Sequence, residues 1–194
     1  MLTAGHETTA TALGWAIERL LRHPEKLERL RDEVQAGEDT YLDAVVKETL
    51  RLRPMIPIVL RRLKEPMEIG GRELPEGVAV APCIYLMHRN PEVYPDPRQF
   101  RPERFIEQPA GTYTWIPFGG GVRRCLGASF AMFEMQMVLA AIVRGADLQP
   151  AASASERVRR RAITWTPSRG AEVVAGARRG AVESVQRETA EAAR

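Results

Sequence analysis

Cysteine is almost absent from this chain of 194 residues: only Cys83 and Cys125 occur, far apart. That excludes a four-cysteine zinc site and a disulfide-built scaffold, and it fits a reducing compartment. Histidine is equally scarce, with only His6, His23 and His88 available as imidazole bases. No apolar run approaches the ~20 residues of a membrane helix, so no membrane span is expected. The start, Met1-Leu2-Thr3-Ala4-Gly5, lacks the basic opening and cleavage site of a signal peptide. The expectation is a cytoplasmic protein. Charge of one sign is also missing from most of the chain: residues 150–194 carry 9 Lys/Arg against 5 Asp/Glu, while the rest is nearly balanced. The basic face with interleaved aromatics that nucleic-acid binders present is absent, so no nucleic-acid partner is expected.

What is present divides along proline. Eleven of the 14 prolines lie between Pro54 and Pro117, where each removes an N–H and makes a long helix improbable. Before them, Leu13, Ile17, Leu20 and Leu21 recur with a helical period from Gly5 to His23. Pro24 opens a second helix through Leu27, Leu30 and Val34, stopped by Gly37. Thr40 to Arg53 predicts a third, with Leu42, Val45, Val46, Thr49 and Leu50 buried and Pro54 as terminator.

Short strands are expected at 58–60, at 67–69 before Gly70-Gly71, and over 78–84. Residues 89–117 read as ordered, irregular coil. A last helix is expected from about Leu126 to Arg144, with Phe130, Phe133, Met137 and Ile142 as core positions. Residues 162–165 and 172–174 would close the fold as a hairpin. The fold class is mainly α with small β elements.

Three segments carry chemistry. In Phe118-Gly119-Gly120-Gly121-Val122-Arg123-Arg124-Cys125-Leu126-Gly127, a glycine-rich loop delivers a cysteine to a helix start. The helix dipole and two arginines there favour thiolate, which is either a nucleophile or a metal ligand. A phosphate loop would need Gly-Lys-Ser/Thr at that point. A cysteine hydrolase needs a histidine base, and a buried cysteine behind a glycine turn is the bland alternative. Glu48-Thr49-Leu50-Arg51 sets an acid and a base three apart on one helix face, facing the coil that holds Arg104. Such a pair is either a solvated surface pair or, shared with Arg104, a lock between helix and coil. In Ala4-Gly5-His6-Glu7-Thr8-Thr9, a weak helical stretch is either a capped end or a local opening beside a ligand.

Together with Pro102-Glu103-Arg104-Phe105, these segments closely resemble, in order and spacing, the bacterial-type cytochrome P-450 family of haem-thiolate monooxygenases, over about residues 3–175. The resemblance implies haem b (iron protoporphyrin IX) as cofactor and Cys125 as its axial thiolate. It implies that Phe118 packs near the sulfur, that Gly119, Gly121 and Gly127 allow close approach, and that Arg123 and Arg61 meet the propionates, with Arg62 as substitute for Arg61. Glu7 and Thr8 would be the acid–alcohol pair that delivers protons to bound oxygen. Glu48, Arg51 and Arg104 would be a structural ion triad. Ile58, Val59 and Leu60 fall where the family lines its substrate pocket. His88 is expected to make a structural contact, with a haem-edge donor as the alternative.

The implied partners are a ferredoxin or flavoprotein reductase, O2 and a small apolar organic substrate. Residues 1–175 would be the carboxy-terminal, haem-binding portion of such a domain, and 176–194 a disordered or frayed tail. The chain begins inside the helix that bears Glu7 and Thr8, so the front of the family's fold is expected to be missing. A non-catalytic haem-binding fragment is the alternative in function.

Overall fold

A computed structural model describes residues 2–176. Four long helices build the core: α1 (Leu2–Leu21), α2 (Pro24–Ala36), α3 (Thr40–Leu52) and, after two short helices, α6 (Ala128–Gly145). The short ones are α4 (Ile84–Met87) and α5 (Arg104–Glu107). Among the described residues eight short strands pair only in twos: β1 (Arg61–Arg62) with β4 (Ala79–Val80), and β2 (Met67–Ile69) with β3 (Arg72–Leu74). Likewise β5 (Asp147–Pro150) pairs with β8 (Val173–Gly176), and β6 (Val158–Arg161) with β7 (Thr164–Pro167), all antiparallel. The fold is mainly α with small β elements, as the composition and proline pattern indicate.

The core lies where α1, α2, α3 and α6 meet, around Trp15, Leu20, Leu30, Val34, Val45, Val46, Met135 and Leu139. All five apolar-face positions expected on α3 are buried. Gly37 ends α2 at φ 81° and returns its N–H to Glu33 and Val34, the left-handed cap that glycine takes without steric cost. The first turn of α3 is capped from outside: Glu33 accepts the N–H groups of Tyr41 and Leu42 at 2.7 and 2.9 Å. Those donors have no partner within the helix, so one carboxylate fixes α3 against α2.

Four expectations are corrected. Residues 78–84 are not one strand: only Ala79 and Val80 pair, and α4 starts at Ile84. Ile58 to Leu60 makes a single bridge, Ile58 to Cys83, and the ladder forms one step on at Arg61–Arg62. Proline and short length leave little room for longer ladders there.

The closing hairpin has different partners. Residues 164–167 pair with 158–161, and 173–176 pair back with 147–150. The β6–β7 turn is made by Ala162 at φ 52° and not by glycine.

On α6, Phe130, Phe133 and Met137 are exposed and Ile142 is half-buried; Met135, Leu139, Ala140 and Val143 face the core instead. The helix is apolar on more sides than it buries, so periodicity could not select the covered side. Among the described residues it is also the one helix long and apolar enough to cross a membrane. Its buried side belongs to the common core. The coil over 89–117 is irregular apart from α5. The tail expected beyond residue 176 lies outside the described residues.

Candidate functional site: the cysteine loop and its supports

The loop leaves the core at Trp115 and Phe118, whose rings meet edge-on at 6.0 Å. Gly119 and Gly121 take φ of 71° and 64°, angles that cost a side-chain-bearing residue ~1–2 kcal/mol. A Cβ added at Gly119, Gly120 or Gly121 would meet nothing within 4 Å, so the loop's outer surface is open. A single 3-10 turn spans Gly121–Arg123, and the chain then bends so that the Cys125 N–H donates to the Phe118 carbonyl at 2.9 Å.

The Cys125 thiol is exposed three residues before α6, and the Ala128 N–H closes back on the Cys125 carbonyl at 3.4 Å. The sulfur therefore sits at the positive end of an 18-residue helix with Arg123 and Arg124 beside it in sequence. Around it Val122 and Leu126 are open to solvent. A Cβ on Gly127 would come to 4.0 Å from Sγ, ordinary contact distance.

A soft thiolate donor, a side-chain-free loop and an apolar rim fit a flat metal macrocycle. Neighbouring arginines suit its carboxylates.

Below the loop lies a buried ion cluster. Glu48 and Arg51 on α3 are fully buried and Arg104 nearly so. Glu48 accepts Arg51 Nε at 2.6 Å, Arg51 Nη2 at 2.8 Å and Arg104 Nε at 3.2 Å, and it also takes the Arg101 backbone N–H at 2.8 Å. Arg51 Nη1 donates to the carbonyls of His88 and Pro97, and Nη2 to that of Gln99. All five donors of that guanidinium are used. Arg104 donates to the carbonyl of Pro95 at 3.1 Å. Three proline-coil carbonyls and one carboxylate thus enclose a charge that burial would otherwise penalise by several kcal/mol.

His88 links this cluster to the loop. It is fully buried, its Nδ1 lies 3.2 Å from the Arg51 carbonyl, and Nε2 accepts the Ile116 N–H at 2.9 Å. Burial pushes its imidazole down to about 3, with Arg51 and Arg89 adding to the effect against the hydrogen bond to the Arg51 carbonyl. The ring is neutral over the ordinary range. Two more side chains hold the same stretch: Tyr94 Oη donates to Thr114 O, and Trp115 Nε1 to Lys47 O, both at 3.1 Å.

The remaining candidates lie elsewhere. Glu7 is exposed on α1 and paired with Arg161 at 3.5 Å. Thr8 Oγ1 donates to the Gly5 carbonyl at 3.1 Å. Arg61, on β1, donates to the Leu60 carbonyl at 2.9 Å. Among the described residues no hydrogen bond or ion pair joins Glu7 or Arg61 to the cysteine loop. Arg123 is exposed on that loop. The sequence reading did not find Arg101, Tyr94, Trp115 or the coil carbonyls; Arg101 and the carbonyls act through backbone groups that carry no spacing signal.

The geometry defines a class: a helical chain that presents an exposed cysteine on an open glycine loop, buttressed by a buried acid–arginine cluster. The family model described as Cytochrome P450 matches residues 1–171. The chain belongs to the cytochrome P450 family. It is 48% identical over 179 residues to the proteins provisionally named cytochrome P450 135B1 of Mycobacterium bovis and Mycobacterium tuberculosis. It is also 44% identical over 173 residues to one provisionally named cytochrome P450 137 of Mycobacterium tuberculosis. These alignments take in 89% of this chain but 38% and 36% of the relatives. The chain spans little more than a third of their length.

Proposed function

We propose that the chain supplies the thiolate side of the haem pocket of a monooxygenase. The observation that carries the reading is Cys125, exposed on an open glycine loop at the start of α6. Bound there, haem b supplies O2 activation, so that one oxygen atom enters an apolar organic substrate, with electrons from NAD(P)H through a ferredoxin or flavoprotein reductase.

The chain's own residues do the rest. Cys125 supplies the sulfur ligand, placed before the α6 terminus and beside the neighbouring arginines. Phe118 and Gly127 set the approach to the sulfur. Gly119 and Gly121 keep the loop low, and Arg123 with Arg61 binds the carboxylates. Glu7 and the Thr8 hydroxyl serve as the acid–alcohol pair of the proton path. Glu48, Arg51 and Arg104 hold the helix–coil frame.

In the haem-loaded protein, reduction under carbon monoxide should give the red-shifted Soret band of thiolate ligation. Cys125→His should abolish that band while haem still binds. A band that persists in the variant would exclude Cys125 as ligand.

The proton pair makes a second expectation. Thr8→Ala should leave the thiolate band intact and divert most of the reductant to peroxide. Hydrogen peroxide is measured against NAD(P)H consumed. Unchanged coupling would exclude Thr8 from the proton path.

A further inference from the structure

We infer that His88 is a positioning residue that transmits the place of the buried ion cluster to the segment leading into Cys125. Three contacts carry this. Arg51 Nη1 donates to the His88 carbonyl at 2.6 Å, and His88 Nδ1 faces the Arg51 carbonyl at 3.2 Å, so the two residues grip each other at both ends. The far side of the same ring, Nε2, receives the Ile116 N–H at 2.9 Å. Because an amide N–H can only donate, Nε2 must be the acceptor and Nδ1 must carry the proton. One tautomer serves both bonds, and burial leaves it no water to exchange with.

The consequence reaches the sulfur through few bonds. The Ile116 carbonyl accepts the Gly119 N–H at 2.9 Å, and the Phe118 carbonyl accepts the Cys125 N–H at 2.9 Å. Fixing Ile116 thus fixes the turn from which the cysteine loop springs. Tyr94, whose ring lies 5.0 Å from the Arg51 guanidinium, and Trp115 hold neighbouring residues 114 and 115, but among the described residues His88 alone joins Arg51 to the Ile116 N–H. Without the imidazole, the Ile116 N–H is left without its acceptor and the loop is free to shift on its glycines.

This rests on reading Cys125 as the haem thiolate, and two variants with two readouts separate the claims. His88→Gln places an acceptor oxygen where Nε2 stood; His88→Asn reaches only the Nδ1 position and leaves Ile116 unpaired. Amide hydrogen exchange at Ile116, which needs no haem, should quicken about tenfold in His88→Asn and stay near the parent rate in His88→Gln. The haem-loaded His88→Asn protein should lose part of its thiolate–carbon monoxide band and shift its reduction potential, and His88→Gln should restore both. An Ile116 rate unchanged in His88→Asn would overturn the tether. So would equal losses in both variants, which would reduce His88 to packing. A parent protein without the thiolate band, but with Ile116 exchange responding as stated, would instead remove the ligand reading and leave the tether standing.

Discussion

Glu48→Ala is expected to cost the chain a large share of its stability. The substitution removes the one carboxylate that, among the described residues, pairs with Arg51 and Arg104, both buried, and also the acceptor of the Arg101 N–H. The carbonyls of His88, Pro97 and Gln99 would still receive Arg51, but partial charges do not balance a buried guanidinium. Breaking a buried pair from one side costs about 3–5 kcal/mol, a large share of the ~5–15 kcal/mol that holds a domain. Glu48→Gln, which keeps one acceptor oxygen, should lose less. Arg104→Ala should lose less again, because the longer 3.2 Å contact leaves the Glu48–Arg51 pair whole. Urea midpoints followed by far-ultraviolet circular dichroism order the three. A fall of about 1–2 M is expected for Glu48→Ala, and a midpoint within error of the parent would contradict the cluster's structural role.

How much of this was legible in the sequence depends on whether the information is local. Helix α3 was, because Leu42, Val45, Val46, Thr49 and Leu50 form one face and Pro54 ends it. The loop before Cys125 was too, since glycine is the residue that positive φ selects, and Gly119 and Gly121 are where it occurs. The pairing of Glu48 with Arg104 was anticipated from their facing segments, but not the coil carbonyls around Arg51. Those acceptors are backbone groups whose position comes from the packed coil alone.

The misread parts fail for matching reasons. Strand partners at 147–176 are nested, with β6–β7 inside the β5–β8 pair, and the inner turn uses Ala162 and the outer return Ala171, both at positive φ without being glycine. In the outer return Gly170 also takes a positive φ, of 75°, beside Ala171. Helix α6 offered apolar residues to nearly every side, and a period says nothing about which side a neighbour covers.

That open side of α6 gives the last expectation: expressed alone, the 194-residue chain should self-associate and take up less than one haem per chain. Phe130, Phe133 and Met137 fall at three- and four-residue spacing on one helix face, 68%, 59% and 57% exposed, and Val122 and Leu126 beside Cys125 in sequence are exposed as well. Large aromatic and thioether side chains at that spacing form a continuous patch. Soluble monomers seldom expose more than a few hundred Å2 of such surface. At ~25 cal/mol per Å2, covering that much returns several kcal/mol, enough to drive association. Sedimentation velocity should show species that grow with concentration, and a hydrophobic dye should brighten in their presence. Phe133→Lys with Met137→Lys should restore the monomer without lowering the urea midpoint, because Met135, Leu139 and Val143 hold the opposite side of the helix in the core. A parent chain that stays monomeric and dark to the dye would show that the face needs no cover. A double variant that unfolds would show instead that the face carries the stability of the fold.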